Sequence, residues 1–161
     1  MRADAITLDT CVLEHFFNPD WNGDGHISAL LGKLLAARRS LCFDDQQRLA
    51  GEMHHRLSHY KQHREFQNFG RMLMGLLTLP KIEIKVEQGS SLMDCLSRNV
   101  GRGTEASDLV VVFVACATDT LLVSNNGRHI TDRAARLRDC ASAHAGTTPD
   151  FWNSATANAI L

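Results

Sequence analysis

The residues best suited to chemistry are four carboxylates that lie far apart along the chain: Asp9, Glu52, Glu105 and Asp108. Asp9 directly follows the apolar run 5–8, which we predict to be a buried strand. Glu52 borders the apolar stripe of a predicted helix, about 60° from Leu49 at about 100° per residue. Asp108 opens the apolar run 109–117, with Glu105 about one turn earlier on the same side of a predicted helix. Each of the four could therefore face a shared site.

Carboxylates brought together from three elements at one edge of a sheet suit hard cations that prefer oxygen ligands, such as Mg²⁺ or Mn²⁺. An ion of this kind assists the attack of water on a phosphodiester bond. The carboxylates therefore predict metal-dependent phosphodiester hydrolysis.

A second group of candidate residues lies in the segment 46–68, which we predict to be one helix. His55, His59 and His63 are spaced i, i+4, i+8 and would share a face of it. Zinc sites use such spacing, but cations surround these histidines and would repel a metal ion. These cations are Arg56, Lys61, Arg64 and Arg71. The pattern favours the wall of a basic groove, and a solvated face is the open alternative.

The segment 20–28 matches the start of an EF-hand calcium loop. Asp20, Asn22 and Asp24 take the first, third and fifth positions, and Gly25 follows. The twelfth position, where a bidentate Glu is expected, is Leu31. The alternatives are a calcium site and a tight polar turn between two helices.

The elements that must position these residues alternate between strand and helix patterns. We predict strands at 5–8, 40–43, 81–87 and 121–124, and helices at 10–17, 28–39, 46–68, 69–79, 104–117 and 128–139. This alternation predicts an α/β fold with a mostly parallel sheet. Ligands of such sheets bind at the carboxyl ends of the strands, where Asp9, Asp44–Asp45 and Asn125–Asn126 would gather.

Length and composition set the broad class of the protein. The 161 residues are typical of a single domain, with a core over about 5–140 and a tail at 141–161. Hydrophobic residues make up 44% and the net charge is -1, which argues against disorder and against a uniformly basic coat. The longest apolar run, 109–117, is too short to cross a bilayer, and the amino terminus does not have the pattern of a signal peptide. We therefore expect no membrane association.

The five cysteines include no Cys-x-x-Cys pair. Three of them, Cys11, Cys42 and Cys116, lie in apolar runs and are predicted to be small buried residues. We therefore predict a reducing, cytoplasmic location.

In their order along the chain, four of these segments resemble the PIN domain family of metal-dependent nucleases. Residues 5–10 resemble its first strand with the following Asp and Thr, and 41–45 followed by Gly51-Glu52 resembles the pattern of one subgroup. Residues 104–111 resemble the acidic start of a later helix, and 122–126 resemble the closing strand and its turn. The resemblance covers about 5–130.

The resemblance implies a three-layer α/β/α sandwich and cleavage of single-stranded RNA with Mg²⁺ or Mn²⁺. Asp9, Glu52 and Asp108 would be catalytic and would bind metal, with Glu105 and Asn126 assisting. The family usually has Asp at the position of Asn126, so the chain lacks one negative charge there. Residues expected to contact RNA are Thr10, Arg56, His59, Lys61, His63, Arg64, Ser124, Asn125, Arg128 and Arg133.

Small proteins of this family are often toxins of toxin–antitoxin modules or parts of defence systems. The partners expected from the resemblance are structured or single-stranded RNA, an inhibitory protein and a second copy of the chain. The alternative function is a binding module without turnover. Such a module would either bind nucleic acid with a catalytically weakened site or respond to calcium.

Overall fold

A computed structural model describes residues 2–100 and 103–161. Its central sheet has five strands in these ranges: β1 Arg2–Leu8, β2 Ser40–Asp44, β3 Lys81–Ile84, β4 Thr120–Val123 and β5 Phe151–Trp152. All neighbouring strands pair in parallel, in the order β3-β2-β1-β4-β5. The predicted parallel sheet is confirmed.

Helices cover both faces of the sheet and complete a three-layer α/β/α sandwich. They are α1 Thr10–His15, α2 Pro19–Asn22, α3 His26–Ala37, α4 Arg48–Ser58, α5 Phe66–Leu77, α6 Ser91–Asn99, α7 Ala106–Thr118, α8 Ala134–Ala145 and α9 Ser154–Ile160. A single 3₁₀ turn, Thr131–Arg133, precedes α8. The predicted fold class is therefore confirmed.

Helix α7 is the central helix of the fold and packs across β1, β2, β3 and β4. Residues Val110 to Cys116 of this helix are all buried. A helix that is apolar on every side is a buried helix, which explains why four valines do not make this segment a strand. Its polar end, with Asp108 in the first turn, projects toward the carboxyl edge of the sheet.

Buried aspartates fix the starts of the two helices nearest this edge. The side chain of Asp44 is fully buried at the end of β2, and its two carboxylate oxygens accept hydrogen bonds from the backbone N–H groups of Arg48 and Leu49, each at 2.9 Å. Asp9 ends β1 and accepts a bond from the N–H of Cys11 at 3.2 Å. Such caps satisfy the free N–H groups of a helix start. They fix α1 and α4 relative to the strands.

The prediction of one helix over 46–68 is wrong. Helix α4 ends at Ser58, whose hydroxyl donates to the carbonyl of His55 at 2.6 Å, and α5 begins at Phe66. The chain turns between the helices and stacks Tyr60 on Phe17, with ring centroids 4.5 Å apart. Packing of this aromatic pair overrides the local helical pattern.

The sequence pattern also missed several elements of the carboxyl-terminal half. Helix α6 was not predicted, and the weakly patterned segment 141–161 contributes β5 and α9 to the fold. Helix α9 packs on α3. In the amino-terminal half, the segment 20–28, predicted as a calcium loop or a tight polar turn, overlaps the short helix α2. These elements are short, and tertiary contacts rather than periodicity determine them.

A disulfide joins Cys95 of α6 to Cys140 of α8. The prediction that cysteine usage indicates only reduced thiols is wrong for this pair. Cys42 and Cys116 are buried free thiols as expected, and Cys11 is free but half-buried rather than buried. The two bonded residues are 45 positions apart, and sequence spacing alone gave no sign that they meet. Within the described ranges, no helix is long and apolar enough to span a membrane.

Candidate active site

The acidic residues meet at the point where the sheet reverses its strand order. The chain moves from β1 to β2 on one side and returns to β4 on the other, so a crevice opens beyond the carboxyl ends of β1 and β4. A cavity of about 180 Å³ lies there. Its lining consists of Asp9, Cys11, Glu52, Arg56, Gly103, Glu105, Asp108, Asn126 and His129. We call this cavity the acidic pocket.

Asp9 is the most deeply placed carboxylate of the pocket, with 7% of its surface exposed. The hydroxyl of Ser124 donates to its Oδ2 at 2.6 Å, and this hydroxyl in turn accepts the N–H of Asn126 at 3.0 Å. These contacts link the ends of β1 and β4. They hold the Asp9 carboxylate in one orientation toward the pocket.

Asp108 reaches the pocket from the first turn of α7. Its Oδ2 accepts a hydrogen bond from Nδ2 of Asn126 at 3.1 Å, and the amide oxygen of Asn126 accepts the N–H of His129 at 3.3 Å. Asn126 therefore presents its nitrogen, and not its oxygen, to Asp108. It acts here as a donor that orients the carboxylate.

Arg56 forms ion pairs with two carboxylates of the pocket and with a third, Glu14, from α1. Its Nε is 2.8 Å from Oε1 of Glu52, and its Nη1 is 3.5 Å from Oε2 of Glu14. Its Nη2 pairs with the exposed carboxylate of Glu105. The guanidinium, which was predicted to contact RNA, is used here as an internal counter-ion.

Two of the carboxyl groups remain electrostatically unfavourable despite Arg56. Burial, with the nearby charge of Asp9, raises the pKa of Asp108 from 3.8 to about 6. Burial also raises the pKa of Glu52, while a hydrogen bond from Ser107 and the charge of Arg56 lower it in part. Raised carboxyl pKa values in a cleft are typical of functional sites, and a bound cation would relieve them.

The pocket has the donor chemistry of a magnesium or manganese site but not its geometry. Across 2–100 and 103–161, no three His, Cys, Asp or Glu side chains lie close enough together to hold a metal ion. Arg56 is the cation among the carboxylates instead. The carboxylate oxygens of Asp9, Glu52 and Asp108 have the chemistry that a hard cation prefers, and binding one would require these side chains to move closer together.

The histidines and cations of 59–64 lie elsewhere. His59 contacts the ring of His55 at 5.2 Å, and His63 packs edge-on against Phe17 at 5.1 Å. Lys61 lines an apolar groove between α4 and α5. Because α4 ends before these residues, they do not form a basic face beside Glu52, and the zinc arrangement of three histidines is not formed.

Three residues predicted to bind substrate are used inside the fold. Thr10 and Ser124 are buried, at 3% and 0% exposure. Asn125 donates through Nδ2 to Nδ1 of His15 at 3.0 Å and accepts the N–H of Ser154 at 2.9 Å. These side chains support the pocket and are not free to contact a ligand.

Two arginines remain near the rim of the pocket. Arg128 is exposed next to His129. Arg133 donates to the backbone carbonyls of Arg128 and Asn99, at 3.2 and 3.4 Å. It therefore ties two loops together, and Arg128 is the more accessible of the two charges.

Sequence reasoning missed three residues near this pocket. Glu14 pairs with Arg56, the thiol of Cys11 lies 3.7 Å from the hydroxyl of Ser124, and a ring nitrogen of His129 is hydrogen-bonded to the hydroxyl of Thr104 at 3.1 Å. Glu14 is a charged residue within the apolar helix α1, which was an available signal. No sequence pattern indicated His129, because its position depends on the turn after β4.

The calcium-like segment is closed by its own hydrogen bonds. Oδ1 of Asn22 accepts the N–H of Ile27 at 3.0 Å. Oδ1 of Asp24 accepts the N–H of His26 at 3.1 Å and bonds its ring Nδ1 at 2.7 Å. Leu31, at the position of the missing Glu, is fully buried. The geometry favours the polar turn.

The sequence was also compared with known proteins. No protein-family model matches it, and no curated protein matches it.

Proposed function

We propose that the protein is a divalent-metal-dependent endoribonuclease that cleaves single-stranded RNA. The observation that carries this proposal is the convergence of Asp9, Glu52 and Asp108 on one pocket at the switch point of the sheet. The raised pKa of Asp108 supports it, because burial and the nearby charge of Asp9 disfavour the ionised carboxylate, and a bound cation would relieve this. The resemblance of the segments around these residues to PIN nucleases agrees with the same chemistry.

In this proposal Asp9, Glu52 and Asp108 hold Mg²⁺ or Mn²⁺, with Glu105 near the entrance. The bound ion would supply an activated water and stabilise charge on the scissile phosphate. Ser124 orients Asp9, and Asn126 orients Asp108.

Arg56 has a double role in the proposal. It neutralises the carboxylates before the ion binds, and its guanidinium then becomes available for a phosphate of the RNA, which Arg binds through paired hydrogen bonds. Arg128 at the rim is a second phosphate contact.

The cellular setting follows from the resemblance. We propose a toxin or defence effector that is controlled by an inhibitory protein and is able to form a homodimer. We also propose a cytoplasmic location. Cell fractionation would test it, and recovery of the protein outside the cytoplasmic fraction would contradict it.

One observation favours a second function, a nucleic-acid-binding module without turnover. Arg56 pairs with Glu52 and Glu105 of the pocket without a metal, and Asn126 contributes no charge. A site in this state could bind RNA and leave it intact.

A cleavage assay distinguishes the two functions. Labelled single-stranded RNA is incubated with the wild-type protein in EDTA, in Mg²⁺ or in Mn²⁺, beside the Asp9→Asn variant. If the protein is an enzyme, the wild type should cleave RNA only with added metal, and Asp9→Asn should not cleave it. Binding of RNA without cleavage under all conditions would support the binding module and overturn the nuclease.

A further inference from the structure

Trp21 is one of the few large hydrophobic side chains exposed in the described part of the chain, at 42%. Its indole stacks on the ring of His15, with centroids 4.4 Å apart and planes 15° from parallel. The stack covers one side of the indole. The exposed fraction of the ring therefore faces solvent as a flat aromatic surface.

This surface lies beside the acidic pocket. His15 is on α1, the helix that Asp9 caps, and its Nδ1 is 3.0 Å from Nδ2 of Asn125 at the end of β4. The charge of Asp9 acts on His15, where it opposes the lowering of the histidine pKa by burial. Trp21 is thus one stacked ring away from the residues that surround the switch point.

The turn that carries Trp21 is fixed by hydrogen bonds at both ends. The N–H of Trp21 donates to the carbonyl of Asn18 at 3.0 Å, and Nδ2 of Asn22 donates to the carbonyl of Phe16 at 3.0 Å. The calcium-like polar residues are used for this purpose. They hold the exposed ring in place at little further entropic cost.

A row of side chains then connects this turn back to His15. Asp24 bonds His26, and Nε2 of His26 is 2.8 Å from the hydroxyl of Ser154. The N–H of Ser154 donates to Asn125, which contacts His15. Although this row has the composition of a hydrolase triad, Ser154 is only 1% exposed and its hydroxyl is closed to substrate. The row serves to lock the stack.

We propose that Trp21 is a stacking platform for a nucleobase of single-stranded RNA next to the cleaved phosphodiester. This inference rests on the proposed nuclease function and adds the means of substrate selection. An exposed aromatic face binds any base, and stacking contributes about 1–3 kcal/mol per base. Bases of a duplex are already stacked on one another, so the platform selects single strands.

A groove next to the turn offers a cation to the phosphate of a bound strand. Exposed Arg64 lines this groove with Pro19, Asn22 and Gly23 of the turn, and so does Glu65, whose carboxylate lies 3.7 Å from Nε of Arg64. An exposed ion pair of this kind is weak, so Arg64 is able to contact a phosphate while the base stacks on Trp21, as in single-strand binding sites.

The test measures binding of a 2′-O-methyl oligonucleotide, which resists cleavage, to the folded full chain. In a Trp152→Phe background the oligonucleotide should quench the fluorescence of Trp21. Trp21→Ala should weaken binding about 5- to 150-fold, the equivalent of about 1–3 kcal/mol, and Trp21→Phe should retain most of the affinity. Met74→Ala, which removes another exposed hydrophobic residue, is the matched control and should bind as wild type.

Oligonucleotides with a single abasic position locate the contact. An abasic residue at one particular position should weaken binding to the wild type. Trp21→Ala should bind that oligonucleotide as tightly as it binds the intact one. The inference would be overturned if wild type and Trp21→Ala bound equally well, or if the effect of Trp21→Ala were the same for every abasic position. Metal-dependent cleavage by the wild type would still support the proposed function in that case. If the wild type neither bound nor cleaved single strands, the proposed function would fail with it.

Discussion

At the scale of single residues, Asp108 is the carboxyl group whose charge the folded protein accommodates least well. Its pKa of about 6 exceeds its ordinary value of 3.8 because of burial and the nearby Asp9. The folded chain therefore holds this proton more tightly than the unfolded chain does. The contribution of Asp108 to stability is full below about pH 4 and is lost as the pH rises to about 6.

We predict that Asp108→Asn raises the melting temperature of the metal-free protein above pH 6 by a few degrees and abolishes cleavage. The amide has nearly the same shape and can still accept the bond from Asn126. Thermal melts in EDTA between about pH 4 and 8 provide the measurement, and the two melting curves should converge at the acidic end. A variant less stable than wild type throughout would show that the ionised carboxylate is well accommodated.

Asn126 gives a second prediction at this scale. Asn126→Asp places a carboxylate about where an amide now donates to Asp108, at 3.1 Å, so that two like charges face each other. The metal-free protein should lose stability, and the metal concentration for half-maximal cleavage should fall. Parallel Mn²⁺ titrations of wild type and variant give the result, and coincident curves would place Asn126 outside the metal site.

At the scale of elements, the disulfide fastens α6 to α8 behind the loops that reach the pocket. It closes a loop of 45 residues, and the chain-entropy estimate for such a loop is about 4 kcal/mol. We predict that a dithiol reductant, or Cys140→Ser, lowers the free energy of unfolding by about 2–4 kcal/mol. Denaturant melts with and without reductant give the measurement, and Cys140→Ser should no longer respond to the reductant.

The carboxyl edge was predictable because the residues there follow short, strongly apolar strands. Asp9 and Asp44 each end a buried strand, and parallel strands bring their ends together. Glu52 followed from the border of an apolar stripe. No pattern of a single segment could show that Arg56 turns inward to these groups, since this depends on carboxylates from α1 and from the start of α7.

The errors have a common physical origin in contacts between distant segments. The helix expected over 46–68 ends because Tyr60 packs on Phe17, which lies more than 40 positions away in sequence. Helix α9 has too few residues to be stable alone and is held by α3. Sequence periodicity describes one segment at a time and does not contain these pairings.

At the scale of the whole molecule, charge must be concentrated for a chain of net charge -1 to bind RNA. Single-strand affinity falls with salt with a logarithmic slope of about -0.7 for each phosphate contacted. With about three contacts, binding should weaken about 18-fold between about 50 and 200 mM salt. Filter binding of a single-stranded RNA at several salt concentrations measures this slope, and a flat response would contradict RNA as the ligand.

The effect of removing a single positive charge on RNA binding should depend on the edge of the sheet at which that charge lies. Arg128→Gln, at the rim of the pocket, should reduce the slope by about 0.7. Lys81→Gln is the matched control because Lys81 begins β3, at the opposite edge of the sheet. It should leave both the affinity and the slope unchanged.

The central claim is that Asp9, Glu52 and Asp108 bind a divalent cation, which displaces Arg56 from its ion pair with Glu52. Calorimetric titration of Mn²⁺ tests this claim most directly. We predict that the wild type binds Mn²⁺ and that Asp108→Asn does not. Arg56→Gln removes the competing cation, and this variant should bind Mn²⁺ about fivefold more tightly than the wild type. This factor corresponds to about 1 kcal/mol, the free energy of a partly exposed ion pair. Arg64→Gln, which alters an exposed arginine, should match the wild type. Equal Mn²⁺ affinity in wild type and Asp108→Asn would contradict the claim.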